Sequence, residues 1–295
     1  MEKIKFNIII IQHFEKCIKL SNGLFIANEN ECLKLFEIKN SKIKHICWSE
    51  ELPWAPISFL ELKDGNIITS GRKFICIFEI KNNKFNLIES IDEVKDFAEL
   101  FNIIQLENEK ILIASRIGKL IILEKRNKIY KITKIIDVNR FNFIEYISDN
   151  KILLFEYNLD NQDKTKITVL NFLNDKIEKK GVICGDKFRP ILFYGIHSFK
   201  LNNEILFIIG EKLLLIYNIK YEEIISKVEI DDLIIDIINY ENNKYLCLFK
   251  NNKISLISFK DQFSIEGTKI FEKKYFLLKL IMDNNKIYLI DWNSY

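Results

Sequence analysis

Residues 57–91 read ISFLELKDGNIITSGRKFICIFEIKNNKFNLIESI. Four short apolar runs make up this stretch: Ile57 to Leu62, Ile67 to Ser70, Phe74 to Ile80 and Phe85 to Ile91. They are rich in Ile, Phe and Leu and are broken by polar pairs such as Asp64-Gly65 and Asn82-Asn83, as consecutive β-hairpins require. Several runs are nearly continuous in apolar residues rather than alternating, which suits strands covered on both faces. The stretch therefore reads as one four-stranded antiparallel unit, with strands a, b, c and d in chain order.

The same unit recurs. Strand-like runs flank a two-residue turn signal at Asn22-Gly23, Asp64-Gly65, Asn108-Glu109, Asp149-Asn150, Asn202-Asn203, Asn242-Asn243 and Asn284-Asn285. Successive spacings are 42, 44, 41, 53, 40 and 42 residues, and their mean of about 44 falls within the roughly 40 to 45 residues of a four-stranded propeller blade. Asn takes the place of Gly at most of these turns because it tolerates positive φ better than other residues with a side chain. After Asp92, a candidate N-cap, the residues Ile91, Val94, Phe97, Ala98 and Phe101 recur at helical spacing and predict one short helix between two blades.

Strand c ends in Phe36-Glu37-Ile38-Lys39-Asn40 in the first copy, Phe78-Glu79-Ile80-Lys81-Asn82 in the second, Leu123-Glu124 in the third and Tyr217-Asn218-Ile219-Lys220 in the fifth. An aromatic followed by an acidic or short polar residue at this place resembles the Trp-Asp end of WD-repeat blades. No Gly-His and no Trp-Asp dipeptide occurs, so the resemblance implies blades held by apolar packing rather than by the buried polar network of that family. It implies an all-β fold of one domain over residues 1–295, a seven-bladed β-propeller with blade turns near 22, 64, 108, 149, 202, 242 and 284. Only 11 residues follow position 284, enough for one strand, so the strand around Lys5 to Ile11 is expected to pair into the last blade and close the ring.

Composition narrows the function classes. The chain has 44 Lys plus Arg against 41 Asp plus Glu, a net charge of +3, with 48% hydrophobic residues, nine Gly and three Pro. Disorder and low-complexity design are excluded, and the mixed charge does not fit a nucleic-acid-coating surface. The six cysteines, Cys17, Cys32, Cys47, Cys76, Cys184 and Cys247, sit within or beside apolar runs with no C-x-x-C pair and read as reduced and intracellular, with a cytoplasmic location expected. The apolar run Ile8 to Ile11 is too short for a signal peptide or a membrane span.

His13, His45 and His197 fall in different repeats, without zinc spacing, and no nucleophile elbow or phosphate-cradling glycine loop occurs. No catalytic residue, metal or cofactor is expected, and the chain reads as a non-enzyme. Loop placement says more. In a propeller the b–c and d–a connections emerge on one face, and the long connections here, Cys47 to Pro56, Asp92 to Glu99, Tyr157 to Lys166 and Ile183 to Tyr194, are all of those kinds. Four of the five arginines, Arg72, Arg116, Arg140 and Arg189, fall in them too, and Arg suits planar, bidentate recognition of carboxylate or phosphate. Trp54 and Phe188 are the aromatic anchors on the same connections. The expected function is a protein–protein interaction scaffold, monomeric outside its complex, that binds a protein or peptide through Trp54, Phe188, Arg189, Arg72, Arg116 and Arg140. A narrower alternative is recognition of an acidic or phosphorylated peptide by the arginines. A phosphoinositide-binding propeller or a propeller enzyme is a lesser one, since Phe188-Arg189-Pro190-Ile191 only partly matches the Phe-Arg-Arg-Gly motif of lipid-binding propellers.

Overall fold

The computed structural model describes residues 6–10, 16–40, 42–92, 94, 97–138, 141–148, 151–156, 166–173, 176–184, 198–241, 243–251, 253–259, 263–271, 277–283 and 286–291. All of its regular elements are strands. β1 (Phe6–Ile10) opens the chain and belongs with the carboxy-terminal strands. The compact unit Phe14–Cys184 holds four antiparallel sheets, each in the order of the chain. These are β2 (Cys17–Lys19), β3 (Phe25–Glu29), β4 (Cys32–Lys39) and β5 (Lys42–Trp48); β6 (Pro56–Glu61), β7 (Ile67–Gly71), β8 (Phe74–Lys81) and β9 (Lys84–Ile91); β10 (Leu100–Gln105), β11 (Ile111–Ser115), β12 (Lys119–Arg126) and β13 (Ile129–Asp137); and β14 (Phe141–Ser148), β15 (Lys151–Glu156), β16 (Lys166–Leu173) and β17 (Lys176–Cys184). The second unit, Met1–His13 with Gly185–Tyr295, holds β18 (Ser198–Lys200), β19 (Ile205–Ile209), β20 (Leu213–Asn218) and β21 (Glu223–Glu229), then β22 (Ile234–Glu241), β23 (Lys244–Phe249), β24 (Lys253–Phe259) and β25 (Phe263–Ile270), and a three-stranded sheet of β26 (Leu277–Asp283), β27 (Lys286–Asp291) and β1.

Inner strands such as β7 and β11 are buried at every position, which explains their unbroken apolar sequence. Their side chains fill cores shared by neighbouring sheets. Phe59, Phe74 and Phe78 pack with Leu33 and Leu35 between the first two sheets, and Ile68, Ile75 and Ile77 pack with Ile111, Ile113 and Ile121 between the second and third. Each fully buried side chain of this size stabilises by about 1.5–3 kcal/mol, so these cores are the main adhesive between sheets.

Turn chemistry repeats with the sheets. In the a–b turns Leu20, Leu62 and Leu106 donate their N–H groups to the carbonyls of Leu24, Asn66 and Lys110, each at 2.8 Å. Asn22, Asp64 and Asn108 cap the same turns by accepting from the N–H two residues on. Gly23 and Gly65 take positive φ there, as Glu109 does in the third copy. Among the described residues, ten non-glycine residues have positive φ and six of them are Asn, the substitution for glycine that the sequence implies. One residue after the turn leucine, the backbone reaches sideways: Ser21 N donates to Glu61 Oε2 at 2.7 Å and Lys63 N to Gln105 Oε1 at 2.8 Å. At the other end of the inner strands, Asn28 Nδ2 donates to Pro56 O and Ser70 Oγ to Leu100 O. In the second unit the buried Asp236 carboxylate accepts from Leu280 N at 2.7 Å and Lys279 Nζ at 3.2 Å, again across two sheets.

The places where strand c carries the aromatic-acid pair share a backbone feature. The c–d ladder shifts register at Leu35/Phe36, Ile77/Phe78, Ile122/Leu123, Val169/Leu170, Ile216/Tyr217 and Leu256/Ile257, once in every four-stranded sheet. Such a bulge bends the outer strand and strengthens its twist. Phe36, Phe78 and Tyr217 plug the core at the bulge, while the next residue works locally: Glu37 pairs with Lys44 at 3.0 Å, Glu124 with Lys110 at 2.8 Å, and Asn218 Oδ1 accepts from Tyr221 N.

β1 joins the last sheet, as expected, but beside strand b and parallel to it, with Phe6 opposite Ile287 and Ile10 opposite Asp291. It stands at the edge of that sheet, in the order β1-β27-β26. The helix expected after Asp92 is not formed among the described residues. A single turn closes with Phe97 N donating to Val94 O at 2.9 Å, and strand β10 begins at Leu100. Ile91, Val94 and Phe97 enter one inter-sheet core and Phe101 packs against the next, so the three-residue spacing marks a short connection plugging a seam.

Candidate functional site

Three of the arginine-face residues expected from the sequence come together in the unit Phe14–Cys184. Trp54 lies on the d–a connection between β5 and β6, Arg72 on the b–c turn after β7, and Arg116 on the b–c turn after β11. Arg140, Phe188 and Arg189 lie outside the described residues.

The connection carrying Trp54 is pinned at two points. Ser49 Oγ accepts from Leu33 N at 2.9 Å and donates to Glu50 O at 2.7 Å, and Leu52 sinks into the core while its N–H donates to Glu31 O. With those residues fixed, Trp54 is left 49% exposed. The Arg72 guanidinium lies over its ring, 5.1 Å from the centroid, a cation–π stack that orients both side chains. Gly71, just before Arg72, is required by space: a Cβ there would stand 2.8 Å from Ala55 O and 2.7 Å from Phe74 Cζ. Trp48 ends β5 42% exposed, its ring tilted against His45 at 5.0 Å with Lys34 Nζ over it.

Glu99 joins the two arginines. It pairs with Arg72 in an isolated antiparallel bridge, its carbonyl accepts from Arg116 N at 3.1 Å, and its Oε2 meets Arg116 Nη1 at 2.7 Å. Lys73, at φ 66, and Gly118, at φ 82, shape the two b–c turns. Between them opens a pocket of about 490 Å³ lined by Arg72, Lys73, Ala98, Glu99, Arg116 and Ile117. Three cations face one carboxylate, and Ile117, 43% exposed, supplies an apolar wall. Such a surface holds an anionic group with an apolar neighbour. Lys73, Glu99 and Ile117 were not singled out from the sequence; aligning the repeats places Glu99 at the entry of strand a, across from the b–c turn of the preceding copy.

A polar cluster on the opposite, a–b face ties the second sheet to the third. Lys125 Nζ meets Asp64 Oδ2 at 2.5 Å, Tyr130 donates its hydroxyl to the same oxygen, and Tyr130 N donates to Glu89. Burial alone would raise the Asp64 carboxyl, but Lys125, the Asn66 N–H and the Tyr130 hydroxyl hold it below the usual carboxylate range. Among the described residues, no three His, Cys, Asp or Glu side chains converge as a metal centre.

Neither a family model nor a curated protein matches the sequence. By structure the chain is similar to a protein from Lactobacillus plantarum, with a TM-score of 0.65 at 8% identity over 88% of this chain and 84% of that one. It is similar to a chain of the mitotic checkpoint complex, with a TM-score of 0.65 at 9% identity over 96% and 95%. It is also similar to Saccharomyces cerevisiae Sqt1, with a TM-score of 0.60 at 10% identity over 95% and 89%. The repeated four-stranded antiparallel sheet, together with these likenesses over most of the chain, makes the fold a β-propeller.

Proposed function

We propose that this chain is a non-enzymatic protein-interaction scaffold: a divergent WD-repeat-like propeller of seven blades in one domain, closed by its amino-terminal strand. It holds a protein or peptide partner on the face of the b–c and d–a connections. The observation that carries the reading is the half-exposed Trp54, stacked on Arg72 at the lip of a cationic pocket. A large aromatic fixed by its neighbours and an arginine with an oriented fork are the residue types that dominate interface energetics. Arg116 contributes to the same surface; Arg140, Phe188 and Arg189, the other candidate contacts, lie outside the described residues. One structural neighbour is itself a chain of a multiprotein complex, which supports a protein partner. The burial of Cys76 and Cys247 as core residues supports an intracellular setting. Crosslinking pull-down from source-cell lysate tests the proposal. Capture should fall at least tenfold in Trp54→Ala/Arg72→Ala and persist in Arg126→Ala, on the c–d turn; equal capture by all three proteins refutes the assigned face.

A further inference from the structure

The arginines of this pocket are not equivalent. Glu99 stands directly opposite Arg72 in the bridge, where cross-strand side chains ordinarily meet, yet its carboxylate goes to Arg116. Arg72 turns onto Trp54 instead, and among the described residues it has no carboxylate partner. A guanidinium held over an aromatic ring keeps N–H groups open toward a planar acceptor with two oxygens. Arg116 meanwhile is paired with Glu99, so the ligand faces one open fork, the Lys73 ammonium, and the Arg116–Glu99 pair at the pocket wall.

We propose, resting on the reading of this face as the partner surface, that the pocket takes a single carboxylate side chain of an acidic partner segment and that Glu99 narrows the advantage that a second charge would give a phosphomonoester. A carboxylate brings one negative charge and a flat pair of oxygens that fits the Arg72 fork. A phosphomonoester brings nearly two charges at neutral pH. Each charge about 6 Å from Glu99, at an effective dielectric of about 40 for a half-exposed site, loses about tenfold in binding. Glu99 therefore weakens a monoanion about tenfold and a dianion close to a hundredfold. Ala98 and Ile117 meet the apolar residues that flank the carboxylate in the partner segment.

The probes are acetyl-Leu-Xaa-Leu-amide peptides with Glu, Gln or phosphoserine at the centre, titrated into the full chain while the Nε–Hε resonance of Arg72 is followed. Wild type should bind the Glu peptide with a saturating shift and leave the Gln peptide without one. Glu99→Gln keeps the backbone bridge. It should tighten both anionic peptides, the phosphoserine one by about tenfold more. Arg116→Gln, which uncovers Glu99 without removing it, should weaken both, again the phosphoserine peptide more. A Glu peptide that gives no saturating shift, a Glu-to-phosphoserine ratio unchanged in Glu99→Gln, or Arg72-dependent flotation with phosphatidylcholine vesicles carrying a phosphoinositide would each overturn the assignment. If partner capture depends on Trp54 and Arg72 while no peptide moves the Arg72 resonance, the interaction face stands and the carboxylate assignment falls. If the Glu peptide binds as expected while capture ignores both residues, the pocket chemistry stands and the scaffold face falls.

Discussion

Gly71→Ala should be among the most damaging single-methyl additions in the molecule. Gly71 ends β7, opposite Pro56 on one side and Phe74 on the other. An added Cβ would lie 2.7 Å from Phe74 Cζ and 2.8 Å from the Ala55 carbonyl oxygen. Neither neighbour yields easily, because the Phe74 ring is 2% exposed within the core between the first two sheets and the Ala55 oxygen is backbone. Overpacking of a tight site costs about 1–3 kcal/mol, and with a ring and a carbonyl both in the way the upper end, about 3 kcal/mol, is expected. Gly65→Ala is the internal comparison: its φ is +82 and nothing lies within 4 Å of the new Cβ, so only left-handed strain of about 1–2 kcal/mol applies. At this chain length each kcal/mol moves the melting temperature by about 2 °C. Thermal scans should place Gly71→Ala about 6 °C below wild type and Gly65→Ala about 2–4 °C below. Since Arg72 follows Gly71 and Trp54 precedes Ala55, Gly71→Ala should also weaken partner capture while Gly65→Ala leaves it intact. A Gly71→Ala protein that melts with or above Gly65→Ala would show that the Phe74–Ala55 wall gives way and that the space argument is wrong.

Deleting residues 1–12 removes β1 and strips the hydrogen-bonding edge of β27 over the five paired positions from Ile287 to Asp291; the truncated chain should melt well below the full one, and equal melting would refute the pairing. Lys128, at φ 69 in the turn after β12, should yield about 0.5–1 kcal/mol on replacement by Gly, read as a higher urea midpoint. Asp236→Ala leaves the Leu280 N–H buried without its acceptor and should cost about 3 kcal/mol, whereas Asp236→Asn keeps an acceptor and should cost about 1 kcal/mol; equal losses in urea titration would dismiss the bond to Leu280 as a tie between sheets. Burial pushes the Asp236 carboxyl above its usual range, against the pull of Lys279 and the Leu280 N–H. Its protonated form therefore contributes stability that is complete below about pH 4, the unfolded value, and is lost as pH rises through the elevated native value. The wild-type advantage over Asp236→Asn should shrink over that rise, and a constant difference would contradict the raised value.

The blades were legible because their turns carry chemistry in one dimension: an Asx residue two positions after a leucine, with Gly or another residue at positive φ beside it, repeats at Leu20, Leu62 and Leu106. Connections longer than a tight turn were less legible. Apolar residues three apart mean a helix only if the backbone bonds to itself, and from Ile91 to Phe101 they bond to two different cores instead. The parallel direction of β1 was hidden for a related reason, since a run of isoleucines without alternation pairs as readily either way. At the site, Trp54, Arg72 and Arg116 stood out because Trp and Arg are scarce in this chain. Glu99 is one of 41 acidic residues, and only the bridge to Arg72 sets it apart.

The sideways bonds from Ser21 to Glu61, Lys63 to Gln105, Asn28 to Pro56 and Ser70 to Leu100 tie the first sheet to the second and the second to the third through donors on one sheet and acceptors on the next. Stability in the unit Phe14–Cys184 then resides as much in the seams as in the sheets, the condition for nearest-neighbour cooperativity. Hydrogen exchange at Ser21 and Lys63 would thus report the opening of the following sheet rather than of their own.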